Sequence, residues 1–430
     1  MPLPEGTIPV AVGLLIAGIC SFAFFRVGRV ALGSDEAFQP VIGLWFATFA
    51  LAPGFFLPLE QELGRALSAR RALGQGGRPV AMKVLTLGGI LATIVTIGII
   101  SLGPWLSDEY FGGSWVMVLA LVVAIVSYAP AHFARGLCSG MGRFRAYAVV
   151  MGADGLARIV LCLILTVIGV KAVGWYGFAV AVAPLIGVFA VGWKRQLRTE
   201  PGPEATWQEV TPNLGWLLVG SVMAAGLVNA GPIATSLLAE SNERALVTQF
   251  GYGVILARVP LFLFQAVQAA LLPRLSRLAA SGEMNEFMHG FRRLMKVVVA
   301  VGVFGVVGAF VAGPFAVETL YDADLSERTL AMLALGSMFY MIGLAFAQAV
   351  IALHGHALVA LGWTAGMVTF VIVTWIAGGE VFRRVEIGLL AGSGAAMVVF
   401  WLALRHRLKV GAVPDEGSML EAMTDMPFEG

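Results

Sequence analysis

The sequence predicts an all-α integral membrane protein, with about twelve transmembrane helices in two six-helix lobes related by a parallel pseudo-two-fold repeat. Three observations carry this. The 430 residues are 59% hydrophobic and only 13% charged, against roughly 25% charge in soluble domains. The mean hydropathy is +0.87. The apolar runs reach the ~20 residues that a helix needs to cross hydrocarbon, and a polar, proline-bearing stretch near the middle separates six of them from six more. No length remains for a sizeable soluble catalytic domain.

Apolar runs bounded by charge or by Gly/Pro breaks place the spans near 8–31, 39–60, 82–104, 114–134, 147–169, 173–193, 213–238, 245–271, 294–316, 329–353, 357–377 and 386–404. The fifth and sixth form a tight hairpin at "IGVKAVGW". Basic residues collect in alternate loops: "RALSARRALGQGGRPVAMK", "RGLCSGMGRFR", "KRQLR", "RLSRLAASGEMNEFMHGFRRLMK" and "RHRLK" hold 19 Lys and Arg, and the opposite loops hold six. The opposite loops also carry the acidic "SDEYFGG" and "YDADLSE". This asymmetry predicts a multi-pass protein of the cell (inner, cytoplasmic) membrane with both termini cytoplasmic. The chain opens without a basic leader, and the run from Ile8 reads as a retained first span.

The predicted organisation is an N-terminal lobe over 1–196, a cytoplasmic linker over 197–212, a C-terminal lobe over 213–408 and an acidic disordered tail over 409–430. An even number of spans per half makes the repeat parallel. Three faint matches support it. "LPLEQELGRALSA" answers "LLPRLSRLAASG", Pro104 in "LGPW" answers Pro314 in "AGPF", and "ARGLCSGMGR" aligns with "AQAVIALHGH".

Several chemistries are excluded. "GxxxxGK[ST]" is absent, so the chain is no ATP-driven pump by itself. No Ser-His-Asp order or zinc signature can be assembled, and no cofactor or nucleic-acid partner is expected. Cys20, Cys138 and Cys162 fall in apolar runs without metal or disulfide spacing and read as packing residues. His354 and His356 lack further ligands nearby.

The informative residues are polar groups placed in hydrocarbon, each costing at least ~2.5–3.5 kcal/mol at a helix centre. Arg258 lies near the midplane of the eighth span. Gln265 returns to the same helical face, and Gln268 lies close by, which gives a polar stripe suited to a water-filled cleft. Pro260 interrupts the backbone ladder beside it. Near the end of the first span, "AFFRVGRVALGSDEAF" sets Arg26 and Arg29 three apart on one face. Both read either as snorkelling to headgroups or as facing the cleft. Asn229 in the seventh span is a further cavity candidate. Asp154 and Arg158 are four apart in the fifth span and are expected to pair. Glu60, with Glu62, closes the second span, either as a solvated helix end or as an ion-coupling carboxylate.

The doubled layout resembles the multidrug/oligosaccharidyl-lipid/polysaccharide (MOP) flippase superfamily, whose members include the MATE-like folds. "RVGRVALGSDEAFQPVIGLW" is similar to that superfamily's segment at the end of the first span, and "LARVPLFLFQAVQAALLPRLSRLAA" to its eighth span and following loop. In lipid-linked precursor flippases, arginines of the first and eighth helices engage the carrier's pyrophosphate. The resemblance therefore implies that role for Arg29 and Arg258, with Arg26 joining by proximity. The second span lacks the arginine of those relatives, which favours the polysaccharide (Wzx-like) branch. The implied function is translocation of an undecaprenyl-pyrophosphate-type lipid-linked saccharide from inner to outer leaflet by alternating access, with no enzymatic step. Membrane lipid, a polysaccharide polymerase and glycosyltransferases are its candidate partners. The alternatives are a multidrug or small-molecule exporter of the same fold, and a polytopic glycosyltransferase using Asp35 and Glu36 as acids.

Overall fold

The computed structural model describes residues 7–212, 214–240, 243–261, 264, 278–279 and 281–410. These residues are helical nearly throughout, without strands. The helices are α1 (Thr7–Leu32), α2 (Asp35–Ala72), α3 (Arg78–Ser101), α4 (Trp115–Gly140), α5 (Phe144–Val167), α6 (Val173–Trp193), α7 (Leu214–Leu238), α8 (Arg244–Ala257), α9 (Met284–Tyr321), α10 (Glu327–Ala352), α11 (His356–Ile376) and α12 (Val381–Val410). Among the described residues, eleven helices are long and apolar enough to cross a membrane. The expected eighth span runs beyond the described part of α8, and Gln265, Gln268 and the tail from 411 onward lie outside the described residues.

Several helices outrun the predicted spans. α2 covers 38 residues, about 57 Å at 1.5 Å per residue, where the hydrocarbon core is only ~30 Å. Hydropathy marks where hydrocarbon ends, whereas backbone hydrogen bonding continues until a residue stops it. At the start of α2, Gly33 turns the chain with a φ of 89°. Ser34 then caps the helix by accepting from the Ala37 amide at 3.2 Å. Asp35 and Glu36 fill the first turn, and Arg70 and Arg71 the last, as the helix dipole favours.

The chain divides into two compact units. The first holds Met1–Val210, Asn229–Ile255 and Phe315–Leu325. In it α2 packs on α4, α1 on α5, and α6 on both α4 and α5. Small residues set these approaches. A Cβ on Gly155 would sit 2.7 Å from Ala17 Cα, and one on Gly136 2.6 Å from the Glu60 carbonyl oxygen. Ala131, Ala134, Cys138, Ala146 and Val150 fill the space between α4 and α5. Lipid offers no hydrophobic drive between helices, so such close van der Waals packing supplies the association. Gly136→Ala is therefore expected to cost about 1–3 kcal/mol, read as a lower melting midpoint in detergent. Gly18→Ala, where a Cβ meets nothing within 4 Å, should not lower it.

The second unit holds Thr211–Val228, Leu256–Pro314 and Ser326–Gly430. Here α12 packs on α10 and α11, with Gly366 and Gly392 meeting backbone to backbone.

The polar stretch after α6 is tied down within the first unit. Arg70, with its side chain 5% exposed, forks onto the Glu209 carboxylate at 2.6 and 2.9 Å. It also donates to the carbonyls of Gly76, Pro203 and Glu204. Arg65 adds a bond to the Glu209 carbonyl at 2.6 Å, and the Arg78 amide bonds the Glu200 carbonyl at 3.0 Å.

Candidate functional site

Three polar assemblies gather charged side chains from otherwise apolar helices.

The first lies between α2, α4 and α5. Glu60 is 6% exposed. Its Oε2 faces His132 Nδ1 at 2.8 Å and accepts from Arg135 Nη2 at 2.7 Å and Nε at 3.0 Å. Its Oε1 accepts from the Tyr147 hydroxyl at 3.0 Å. This differs from a solvated helix end, because α2 continues through Ala72 and turns Glu60 toward α4 and α5. Glu62, also buried, accepts from Arg65 Nε at 2.8 Å. Arg135 and His132, three apart on α4, belong to this cluster. Loop assignment hid Arg135, which stands five residues inside α4. The available signal was an i, i+3 His/Arg pair following Pro130 in an apolar run.

One helical turn along the same face the network continues. Asp154 Oδ1 accepts from Arg158 Nη2 at 2.7 Å, and Asp154 Oδ2 from the Tyr128 hydroxyl at 3.3 Å. The Arg158 guanidinium lies 4.6 Å from the Trp45 ring centre and 5.6 Å from that of Phe49. The expected i, i+4 pair thus forms, and aromatic faces of α2 share the guanidinium's charge. The Tyr128 and His132 rings, 6.4 Å apart, join the two halves. Every carboxylate here is met by a guanidinium, so the assembly has the character of an internal ionic brace. Among the described residues, no group of three His, Cys, Asp or Glu is disposed to hold a metal ion.

The second assembly is centred on Asp35, at the turn between α1 and α2. Asp35 Oδ1 accepts from Arg29 Nε at 3.2 Å and from the Tyr252 hydroxyl at 3.3 Å. Oδ2 accepts from Gln249 at 3.2 Å, and the Asp35 carbonyl from Thr248 at 2.8 Å. Arg29 also reaches Asp322, its Nη1 lying 3.1 Å from Oδ2. Asp322 ends α9 with a φ of 54°, a conformation that Asp tolerates better than most residues. Tyr252 and Tyr321 stack at 4.3 Å. Arg29 therefore stands between two carboxylates, and Arg26, one turn earlier, is exposed. Asp35 is thus engaged on both carboxylate oxygens and on its carbonyl.

The third assembly belongs to the second unit. α8 ends at Ala257, and Arg258 occupies a turn two residues before Pro260. The guanidinium donates to the Val228 carbonyl of α7, which shares an N–H without cancelling the charge. In the same unit the Tyr340 hydroxyl of α10 donates to the Ala224 carbonyl of α7 at 3.3 Å. Pro260 packs where a Cβ on Gly305 would come within 2.6 Å of its ring. Asn229, 2% exposed, belongs to the first unit, where its amide donates to the Phe49 carbonyl of α2 at 3.0 Å. Of the residues singled out by sequence, Arg26, Arg29, Asn229, Glu60, Asp154 and Arg158 thus belong to the first unit and Arg258 to the second.

No family model matches the chain. It is 26% identical over 379 residues, 82% of its length and 81% of theirs, to uncharacterized proteins of Mycobacterium bovis and Mycobacterium tuberculosis. Solved structures share its fold along nearly the whole length. A MATE transporter mutant from Vibrio cholerae superposes with a TM-score of 0.68 at 17% identity, covering 94% of this chain and 96% of that one. A MOP superfamily transporter from Pyrococcus furiosus, described as having a binding pocket of reverse polarity, superposes with a TM-score of 0.68 at 15% identity, covering 94% and 95%. The chain is a multi-pass membrane protein with the fold of the MATE transporters of the MOP superfamily.

Proposed function

We propose that this protein is an alternating-access transporter that carries an anionic, lipid-linked saccharide of the undecaprenyl-pyrophosphate type from the inner to the outer leaflet. Likeness to transporters over more than nine-tenths of both chains carries the transport part. Basic groups on α1 and at the end of α8 support the choice of an anion. Guanidinium does not deprotonate in proteins, so Arg26 of the first unit and Arg258 of the second each carry a permanent positive charge. An interior-negative potential favours outward movement of that anion by about 2.3 kcal/mol per charge per 100 mV. With both termini in the cytoplasm, the Arg29 end of α1 opens to the outer leaflet.

Arg258→Ala is expected to make the lipid-linked sugar accumulate on the cytoplasmic side several-fold at unchanged protein level, and Arg258→Lys to restore part of the export. Unaltered export in Arg258→Ala would remove Arg258 from the substrate path.

A second reading, export of a cationic small molecule, draws on neighbours described as multidrug resistance MATE transporters. Such a substrate calls for carboxylates open to it. Glu60 and Asp154 are instead paired with Arg135 and Arg158, which favours the anion. Uptake assays in proteoliposomes with either substrate class separate the two.

A further inference from the structure

A proline within a helix removes the N–H that the carbonyl four residues earlier would accept. In hydrocarbon no water replaces it. At two such breaks a side chain from elsewhere in the chain supplies the donor. Pro53 of α2 orphans the Phe49 carbonyl, which takes its bond from Asn229 at 3.0 Å. Pro232 of α7 orphans the Val228 carbonyl, which takes its bond from Arg258.

The placement of these two bonds is informative. Val228 and Asn229 are consecutive, and the chain passes from one compact unit to the other between them. Arg258 holds Val228 within the second unit, and Phe49 holds Asn229 within the first. The two other helices that pass between units do so close to prolines. α8 crosses between Ile255 and Leu256, four residues before Pro260, and α9 crosses between Pro314 and Phe315.

We propose that Arg258 is a positioning residue for α7: its guanidinium serves as the missing backbone donor at the Pro232 break, and an anionic phosphate that claims the same N–H groups releases the Val228 carbonyl and loosens α7 there. The capping half stands on the geometry alone. The release half rests on the anionic substrate proposed above and deepens it, because one side chain then couples headgroup arrival to a helix that runs from one unit into the other.

Pro232→Ala separates the two. Alanine gives position 232 an N–H that can satisfy Val228 inside α7, so the cap becomes redundant. Arg258→Met is expected to lower the melting midpoint by roughly 2–6 °C with Pro232 present, and by less than half as much in the Pro232→Ala background. Equal losses in both backgrounds would overturn the cap, since uncoupled sites add. Where Arg258→Met does not accumulate, Arg258→Leu in the Pro232→Ala background is expected to recover expression, and failure to recover likewise counts against the cap.

The release step is read in the folded Pro232→Ala variant by titrating inorganic pyrophosphate. Binding is expected to be about tenfold tighter than in the natural chain, because the carbonyl no longer competes. Equal affinity in both would overturn the competition. No binding to either, with the melting cycle still coupled, would overturn the release step and the anionic reading while the cap stands.

Discussion

Replacing Glu60 with alanine is expected to destabilise the first unit by about 3–5 kcal/mol, the cost of leaving the other member of a buried ion pair uncompensated. Arg135 is only 14% exposed at the side chain. His132 and Tyr147 turn their polar atoms toward the same carboxylate, so its loss strands three groups at once. The deficit would appear as a lower unfolding midpoint in detergent and as reduced accumulation in the membrane. The double change of Glu60→Leu with Arg135→Met should recover much of it, because an apolar pair of similar volume avoids the desolvation cost. If Glu60 were instead a cation site needed for transport, the double variant would be stable but inactive. Measuring stability and transport on one preparation therefore separates an internal brace from a coupling group.

The second large effect is expected at Arg70. Five donated bonds converge from this one side chain on Glu209 and on the carbonyls of Gly76, Pro203 and Glu204. Arg70→Ala removes them together and leaves the Glu209 carboxylate with the backbone contacts around it. The stretch 199–210 should then detach from the end of α2, and its cleavage by a protease of broad specificity should accelerate on the order of 100-fold, since local opening governs such cleavage. Arg71→Ala, at the neighbouring position, is the matched control. Unchanged cleavage in Arg70→Ala would mean that the Arg65 and Arg78 bonds and the contact between Gly76 and Gly202, where an added Cβ would strike backbone, suffice to hold the stretch.

These two residues illustrate what the sequence conceals. Arg70 reads as one of five basic residues of a loop, and the stretch it anchors reads as a polar linker. Arg135 likewise counts toward a basic loop, yet it sits within α4 with its charge turned inward to Glu60, 75 positions away. Arg29 reads as a headgroup or cleft arginine, and its partner Asp322 lies 293 positions along the chain. Asp154 and Arg158 were legible as a pair because four residues make one turn of a single helix. Asn229 was legible only as a polar group in an apolar run. That it completes the proline break of α2 depends on where α7 lies against α2.

The sequence by itself determined the all-helical membrane class and, among the described residues, eleven of the expected spans. Those follow from local rules: in hydrocarbon the backbone must bond within the protein, most simply along its own helix, and about 20 apolar residues are needed to cross. Only the tertiary structure decided which charges meet. Pairings between helices depend on how each helix is rotated and shifted against its neighbours, and a one-residue change turns a side chain through 100° without altering hydropathy. The partners of Glu60, Arg29, Arg70 and Arg258 were therefore fixed by packing.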